Sequence, residues 1–455
     1  MNRFVISLIA FLACINVPIY AQDTVPADSL DTELDESDIS EDLIDSEERD
    51  IRENPIIEGD DDDWVITSPS FINRKKNHII FNGADWSALR AALQKSETVP
   101  FSVVHIGDSH LQADISTGVI RSLLQYDYGN AGRGLITPLK ISGTNEPYDF
   151  SFTSTKSWTP AKLMNRTWPH AMGFTGVSIS PGQTSSNFTV STSEKDDYNP
   201  FSSIVVFHGG QFYVTGIVDC EGQNLPYVAT PSKDYTLIEL TKEVTSAQVF
   251  FDSAGDLTLY GVSLSGNRPG LFYHTIGNNG AAYSTYNRIG NVGMGVNPLD
   301  PNLVIISLGT NEAFGRVDAK ALSSDIDKLI ANIRAANPNV QFLLVTPMEC
   351  QKTVVSTVKQ KKKGRGKKRR SRTVTRKVRS YTVNTNIEKV RNIILDYAKS
   401  HKIAVYDWYT VAGGAGASEK WIKDGLYGHD RVHHTRKGYH LQGELMYEAL
   451  YEAFQ

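Results

Sequence analysis

The sequence predicts an α/β protein: a mostly parallel sheet with helices on both faces, interrupted by an antiparallel β-sandwich. Three observations predict it. Apolar, β-branched runs followed by stretches of helical periodicity occur at both ends of the chain, the pattern of strands buried on both faces. These runs end in glycine-containing polar turns, as at Gly107-Asp108-Ser109-His110 and Gly309-Thr310-Asn311-Glu312. Between them, residues 146–269 hold short alternating runs divided by turn residues, with no helix of useful length. That texture belongs to a sandwich inserted into the helix-rich chain.

The 455 residues, 40% of them hydrophobic, can build more than one domain. Residues 1–21 read as a secretory signal, with Arg3, an apolar run from Phe4 to Val17, and Ile19-Tyr20-Ala21 as the cleavage site. The mature protein is therefore expected to be exported, periplasmic or extracellular, from a bacterium. Residues 22–75 read as an acidic disordered linker. Within them, 22–63 carry 19 Asp and Glu against Arg49 and Arg52. Asp60 to Asp63 lack the spaced oxygen ligands and turn glycine of a calcium loop. Asp85 is placed to cap a helix running to about Gln94.

Residues 76–145 and 270–455 form the α/β domain in this reading. Phe101 to Ile106 is a strand, and Leu111 to Leu124 recur at helical spacing. The turn between them lifts the Ser109 hydroxyl out at the carboxyl end of the strand and aims helix N–H groups at the same place. A second reading keeps Ser109 as a helix cap. The glycine-rich Tyr128–Gly134 loop fits neither a dinucleotide fingerprint nor a P-loop, and is expected to bring backbone close to the site. Strands at 303–308, 340–345 and 403–407 alternate with helices at 319–336, 384–400 and 435–454. Ligands in such sheets bind beyond the strand carboxyl ends. Ser109, Asn311 and the loop after Asp407 fall there.

The basic stretch 359–379 carries 13 Lys and Arg and no acid. It lacks interleaved aromatics for stacking bases, so no nucleic acid is expected. Residues 352–382 read as a solvated loop that contacts anionic envelope polymer or the acidic segment. In the insert, Trp158, Trp168 and Tyr198 either stack on sugar rings or pack within and between domains. Cys220 and Cys350 are expected to be two separate buried thiols.

A serine hydroxyl needs a base, the base an orienting acid, and the developing oxyanion its donors. The chain offers Asp430-Arg431-Val432-His433 near its C-terminus, the Asn311 amide, and Gly280 within Gly277-Asn278-Asn279-Gly280-Ala281. On these four blocks, in this order, the chain resembles the SGNH, or GDSL-type, hydrolases. The resemblance implies a flavodoxin-like three-layer fold and a serine esterase. Ser109 would be the nucleophile, His433 the base and Asp430 its orienter. The Ser109 and Gly280 N–H groups and the Asn311 side chain would form the oxyanion hole. Two positions depart from the family pattern: His110 stands where leucine is usual, and Glu312 where aspartate is common. The Gly-Asp-Ser-His form with a β-rich insert looks like bacterial peptidoglycan and polysaccharide O-acetylesterases. An acetylated glycan substrate follows from that likeness, with no cofactor and no metal. An O-acetyltransferase with the same triad, or a non-catalytic carbohydrate-binding protein, are the alternatives. His110 and His434 read as packing residues. The insert is expected to serve polymer recognition and not chemistry, since its own strands carry none of the four blocks.

Overall fold

The computed structural model describes residues 68–192, 199–266, 268–362 and 372–455. The acidic stretch 22–63, Asp60 to Asp63, Tyr198 and the secretory-signal reading of residues 1–21 lie outside the described residues. Five parallel strands form the central sheet: β1 (Phe101–Gly107), β2 (Leu271–Gly277), β3 (Leu303–Ser307), β4 (Gln341–Val345) and β5 (Ala404–Tyr406). Their order is β2-β1-β3-β4-β5, so β1 lies second and the order reverses beside it. This is the flavodoxin-like α/β arrangement, whose switch point lies at β1. Every residue of β1 is buried, which is why its apolar run shows no alternation. The helix Ile115–Tyr128 packs on Arg436–Phe454 on one face; Ala319–Ala336 and Asn386–Ser400 contact each other on the other. Asp318 caps Ala319–Ala336 through the Lys320 and Ala321 N–H groups, and Thr435 caps the last helix through Gly438.

The insert is two antiparallel sheets, of seven and four strands, around a shared core that includes Phe152, Phe188, Val206 and Phe251. It begins earlier than the sequence suggests. Strand Gly134–Ile136 pairs with Thr258–Ser265 in the larger sheet. Leu135 points into the core of the parallel-sheet unit and its neighbour Ile136 into the sandwich core, as strand alternation requires.

Other expectations change too. Residues 68–75 are not linker: Ile72 is buried and the Asn73 N–H bonds the Val411 carbonyl at 2.8 Å. Residues 352–382 are not a loop but the two 12-residue strands Gln351–Lys362 and Arg372–Val383 of a hairpin, described except for its tip. The helix after Ser109 is split into Ser109–Gln112 and Ile115–Tyr128 by Asp114, whose φ is +54°. Asp85 precedes the cap residue Trp86 and instead bonds the Ser87 N–H. Among the described residues no helix is long and apolar enough to cross a membrane. The two cysteines are unpaired as expected, but only Cys350 is buried; Cys220, expected to be buried, is exposed.

Asp114 takes its unusual backbone conformation at the centre of a buried charge cluster. Its carboxylate meets Arg121 at 2.8 Å and Arg133 at 2.5 Å, and accepts from Thr275 of β2 at 2.9 Å. Asp149, at the start of the insert, completes the cluster with both arginines. Burial alone would raise the Asp114 carboxyl, but the two arginines hold it below its ordinary value. The cluster joins the helix Ile115–Tyr128, the glycine-rich loop, β2 and the insert. The loop's glycines bring its backbone against the insert: a Cβ on Gly132 would lie 2.7 Å from the Ser265 Cα. Asp114→Asn leaves two buried guanidiniums with one carboxylate. It is expected to lower unfolding stability by about 3 kcal/mol, read as a lower denaturant midpoint at pH 7.

Candidate active site

Gly107 ends β1, and the chain turns at once into the short helix Ser109–Gln112. There is no space for a side chain beneath this turn. A Cβ on Gly107 would stand 2.8 Å from both Leu111 and the Ser307 carbonyl, and one on Gly277 would stand 2.4 Å from the Gln112 nitrogen. Asp108 caps the helix, accepting from the His110 N–H at 3.0 Å. Burial pushes its carboxyl up to about 6.

Ser109 Oγ lies 2.7 Å from His433 Nε2, although 324 residues separate them. His433 Nδ1 lies 2.5 Å from Asp430 Oδ2. The Asp430 carboxylate does two jobs with its two oxygens. Oδ1 accepts from the Val432 and His433 N–H groups at 2.8 and 3.0 Å and fixes the turn; Oδ2 meets the ring. This is the physical content of the three-residue spacing: one Asx-type turn holds both partners. The loop is closed at its base, where the Gly428 N–H bonds the His433 carbonyl at 2.8 Å.

His434 is turned away into a nest of rings, with Trp421, Tyr427 and Tyr439 centred 4.8–5.0 Å from its own. Burial, with the nearby His433, drives its pKa down to about 3, so it stays neutral. His110 is also held neutral by burial; its Nδ1 pairs with the Tyr439 hydroxyl at 3.1 Å.

The Gly277–Ala281 block follows β2. Its turn puts Gly280 at φ +76°, a conformation that favours glycine. Asn311 Nδ2 donates to the Ala281 carbonyl at 2.9 Å and to Asp108 Oδ2 at 3.3 Å, joining this turn to the serine turn. The residues around this turn were not legible as functional in the sequence. Gln112 accepts from the Asn279 N–H at 2.8 Å, and Tyr286 donates its hydroxyl to the Gly107 carbonyl at 2.7 Å. Asn278 Nδ2 donates to Tyr286 and to the Thr175 carbonyl, each at 2.9 Å.

Thr175 belongs to the insert, so the insert is not separate from the site. Arg288 also donates to the Leu163 carbonyl at 3.1 Å and lies 4.6 Å over the Trp168 ring. Trp168 thus packs between the domains, and Trp158 packs 5.9 Å from Phe251 of the sandwich core. Excising residues 150–265 removes the Asn278 partner. A folded deletion protein is expected to lose more than about tenfold in kcat/KM for a small acetyl ester, the scale set by a misplaced reacting group.

Glu312 reaches across to the Tyr283 N–H at 2.8 Å with one oxygen, while the other is buried without a partner among the described residues. Burial, with the Asp108 charge nearby, pushes it up to about 7 from 4.5. A carboxyl raised in the folded state stabilises most below its unfolded value and loses that contribution as pH climbs through the folded one. Glu312→Gln lacks this loss. Relative to wild type, the variant is expected to gain up to about 3 kcal/mol between pH 4 and pH 8, measured by denaturant unfolding across that range.

Among the described residues, no group of three or more His, Cys, Asp or Glu is placed to hold a metal ion.

Residues 258–441 match the model of the GDSL-like Lipase/Acylhydrolase family. The match omits the Gly107–His110 block, which the insert separates from the rest of the parallel-sheet unit. No curated protein matches the chain. Among solved structures, one titled "Peptidoglycan O-acetylesterase in action, 5 min" superposes with a TM-score of 0.64 at 18% identity, covering 83% of this chain and 99% of that one. A lipase/acylhydrolase from Enterococcus faecalis covers 41% of this chain and 78% of its own, at 17% identity and a TM-score of 0.27. A family two carbohydrate esterase from Clostridium thermocellum covers 66% and 98%, at 11% identity and a TM-score of 0.27.

Proposed function

We propose that this chain, an SGNH-type carboxylic ester hydrolase, is an exported O-acetylesterase acting on a cell-envelope glycan of the peptidoglycan type. The observation that carries the reading is the line Ser109–His433–Asp430, joined at 2.7 and 2.5 Å at the carboxyl end of β1. The likeness in fold to a peptidoglycan O-acetylesterase supports the glycan side of the reading.

In the proposed reaction, His433 Nε2 takes the Ser109 proton as Oγ attacks the acetyl carbonyl. Asp430 keeps the other ring nitrogen protonated and stabilises the imidazolium. The oxyanion is received by the Ser109 N–H at the helix start, the Gly280 N–H and the Asn311 amide. Asn311 would exchange its 3.3 Å contact with Asp108 for the oxyanion. Collapse transfers the imidazolium proton to the sugar oxygen and leaves an acetyl ester on Ser109. Water, activated by the same imidazole, then releases acetate.

The test is acetate release from a panel of O-acetylated polymers with no added acyl acceptor. Release from peptidoglycan above other polymers supports the substrate; transfer only to an added sugar acceptor would make the protein a transferase. In the same assay with a small acetyl ester, Ser109→Ala and His433→Ala are each expected to lose about 10³-fold or more in kcat/KM. Asp430→Ala is expected to be severe but to retain more activity. His434→Ala should cost far less. A larger loss at His434 than at His433 would overturn the assignment of the base.

A further inference from the structure

Among the described residues, the hairpin Gln351–Lys362 and Arg372–Val383 pairs with no other strand, and residues 353–357 and 378–382 are exposed. Its strands are in unbroken register and carry eight Lys and Arg with no acid. The register pairs Lys362 with Arg372 at the end of the described ladder. A two-stranded ribbon is marginal without a covering partner. This one is about 40 Å long at the usual rise for 12 residues per strand, and its strands hold no acid to offset their cations.

We propose that the occupant is the acidic stretch 22–63 of the same chain, lying along the ribbon and shielding it. That stretch carries a net charge of −17, set against the 13 cations of residues 359–379. The two also leave the fold close together. Phe71 packs on Trp421 of the helix Ala417–Lys423, with ring centroids 6.4 Å apart. Glu349, two residues before the ribbon, accepts from the Gly416 and Ser418 N–H groups at the start of that helix, at 2.9 and 3.0 Å. Only residues 64–67 separate Asp63 from the first described residue. A tether this short gives the acidic stretch an effective concentration of about millimolar at the ribbon, so weak screened attractions suffice.

The ribbon is also rooted on the loop that carries Asp430 and His433. Arg431 lies 3.9 Å over the Tyr381 ring and donates to Gln351 Oε1 at 2.8 Å; Tyr381 donates to the His429 carbonyl at 3.3 Å. The acidic stretch therefore lies beside the candidate active site and competes there with any other polyanion.

The test uses the full chain, and binding is read independently of esterase activity. Carbodiimide crosslinking at low salt is expected to join Asp or Glu of 22–63 to Lys359, Lys361 or Lys362 within one chain, and to fail in 1 M NaCl. Labelled polyglutamate is expected to bind about tenfold tighter once the 19 acidic residues of 22–63 are changed to Asn or Gln. That gain should vanish when Lys359, Lys361, Lys362, Arg372, Arg376 and Lys377 are changed to Gln. Unchanged hydrolysis of a small acetyl ester reports that each variant is folded. Equal polyglutamate affinity with and without the acidic charges overturns the proposal. Crosslinks found only between separate copies overturn it too. Equal affinity together with slower acetate release from an anionic glycan in the ribbon variant would assign the ribbon to substrate instead.

Discussion

The site rests on one steric constraint: the serine turn sits directly on the ends of β1, β2 and β3. Gly107 and Gly277 are where backbone meets backbone, and a methyl group at either would force the helix Ser109–Gln112 off the sheet. Because the helix is this close, its Gln112 can reach the Asn279 N–H, and the Gly107 carbonyl can take a hydrogen bond from Tyr286. The glycine turn and the serine turn are thereby held by shared atoms. Spread the layers and the position of Gly280 relative to Ser109 would be lost before any catalytic side chain moved.

Closeness has an electrostatic counterpart. The turn leaves two carboxyls near one another, Asp108 and Glu312, in surroundings that penalise charge. Burial raises Asp108 and Glu312, and Cys350 beside them is pushed up to about 12 by burial and then by Asp430, Glu349 and Asp108. Asp430 accepts two backbone N–H groups on one oxygen and meets the imidazole with the other. Hydrogen bonds to a carboxylate favour its charged form. Each oxygen of Asp430 is thus engaged, one by the turn and one by the ring.

What was legible in the sequence follows from the range of the interactions. Strand–turn–helix signals are local, so Ser109 and Asn311 could be set at strand ends from their neighbours alone. Asp430 and His433 are joined by a single turn, and three-residue spacing reveals such a turn. Arg121, Arg133, Asp114 and Asp149 carry no comparable signal, because the cluster exists only once the insert has folded back. Leu271–Gly277 carries no clear strand signal: Leu271-Phe272-Tyr273-His274-Thr275-Ile276 neither alternates apolar with polar nor forms an unbroken apolar run. The basic hairpin was masked by its charge. Thr353-Val354-Val355-Ser356-Thr357-Val358 and Thr373-Val374-Thr375 are β-branched runs, and that preference outweighed the lysines.

The insert's place in the chain explains why it bears on the chemistry. It leaves the parallel-sheet unit after the helix that follows Ser109 and returns into β2, the strand that delivers Gly280. Both connections are short and both are clamped. Arg133 and Asp149 tie the outgoing chain to Asp114, and a Cβ on Gly134 would meet the His274 ring of β2 at 2.7 Å. Thr175 and Leu163 add contacts to Asn278 and Arg288 beyond the strand end. A module held at its entry, its exit and a third surface does not swing on a linker. It forms a fixed wall, and a polymer seated against that wall would meet Ser109 in one register. Loosening the wall would therefore shift the Gly277–Ala281 turn as well, because the insert's contact to Asn278 also holds that turn.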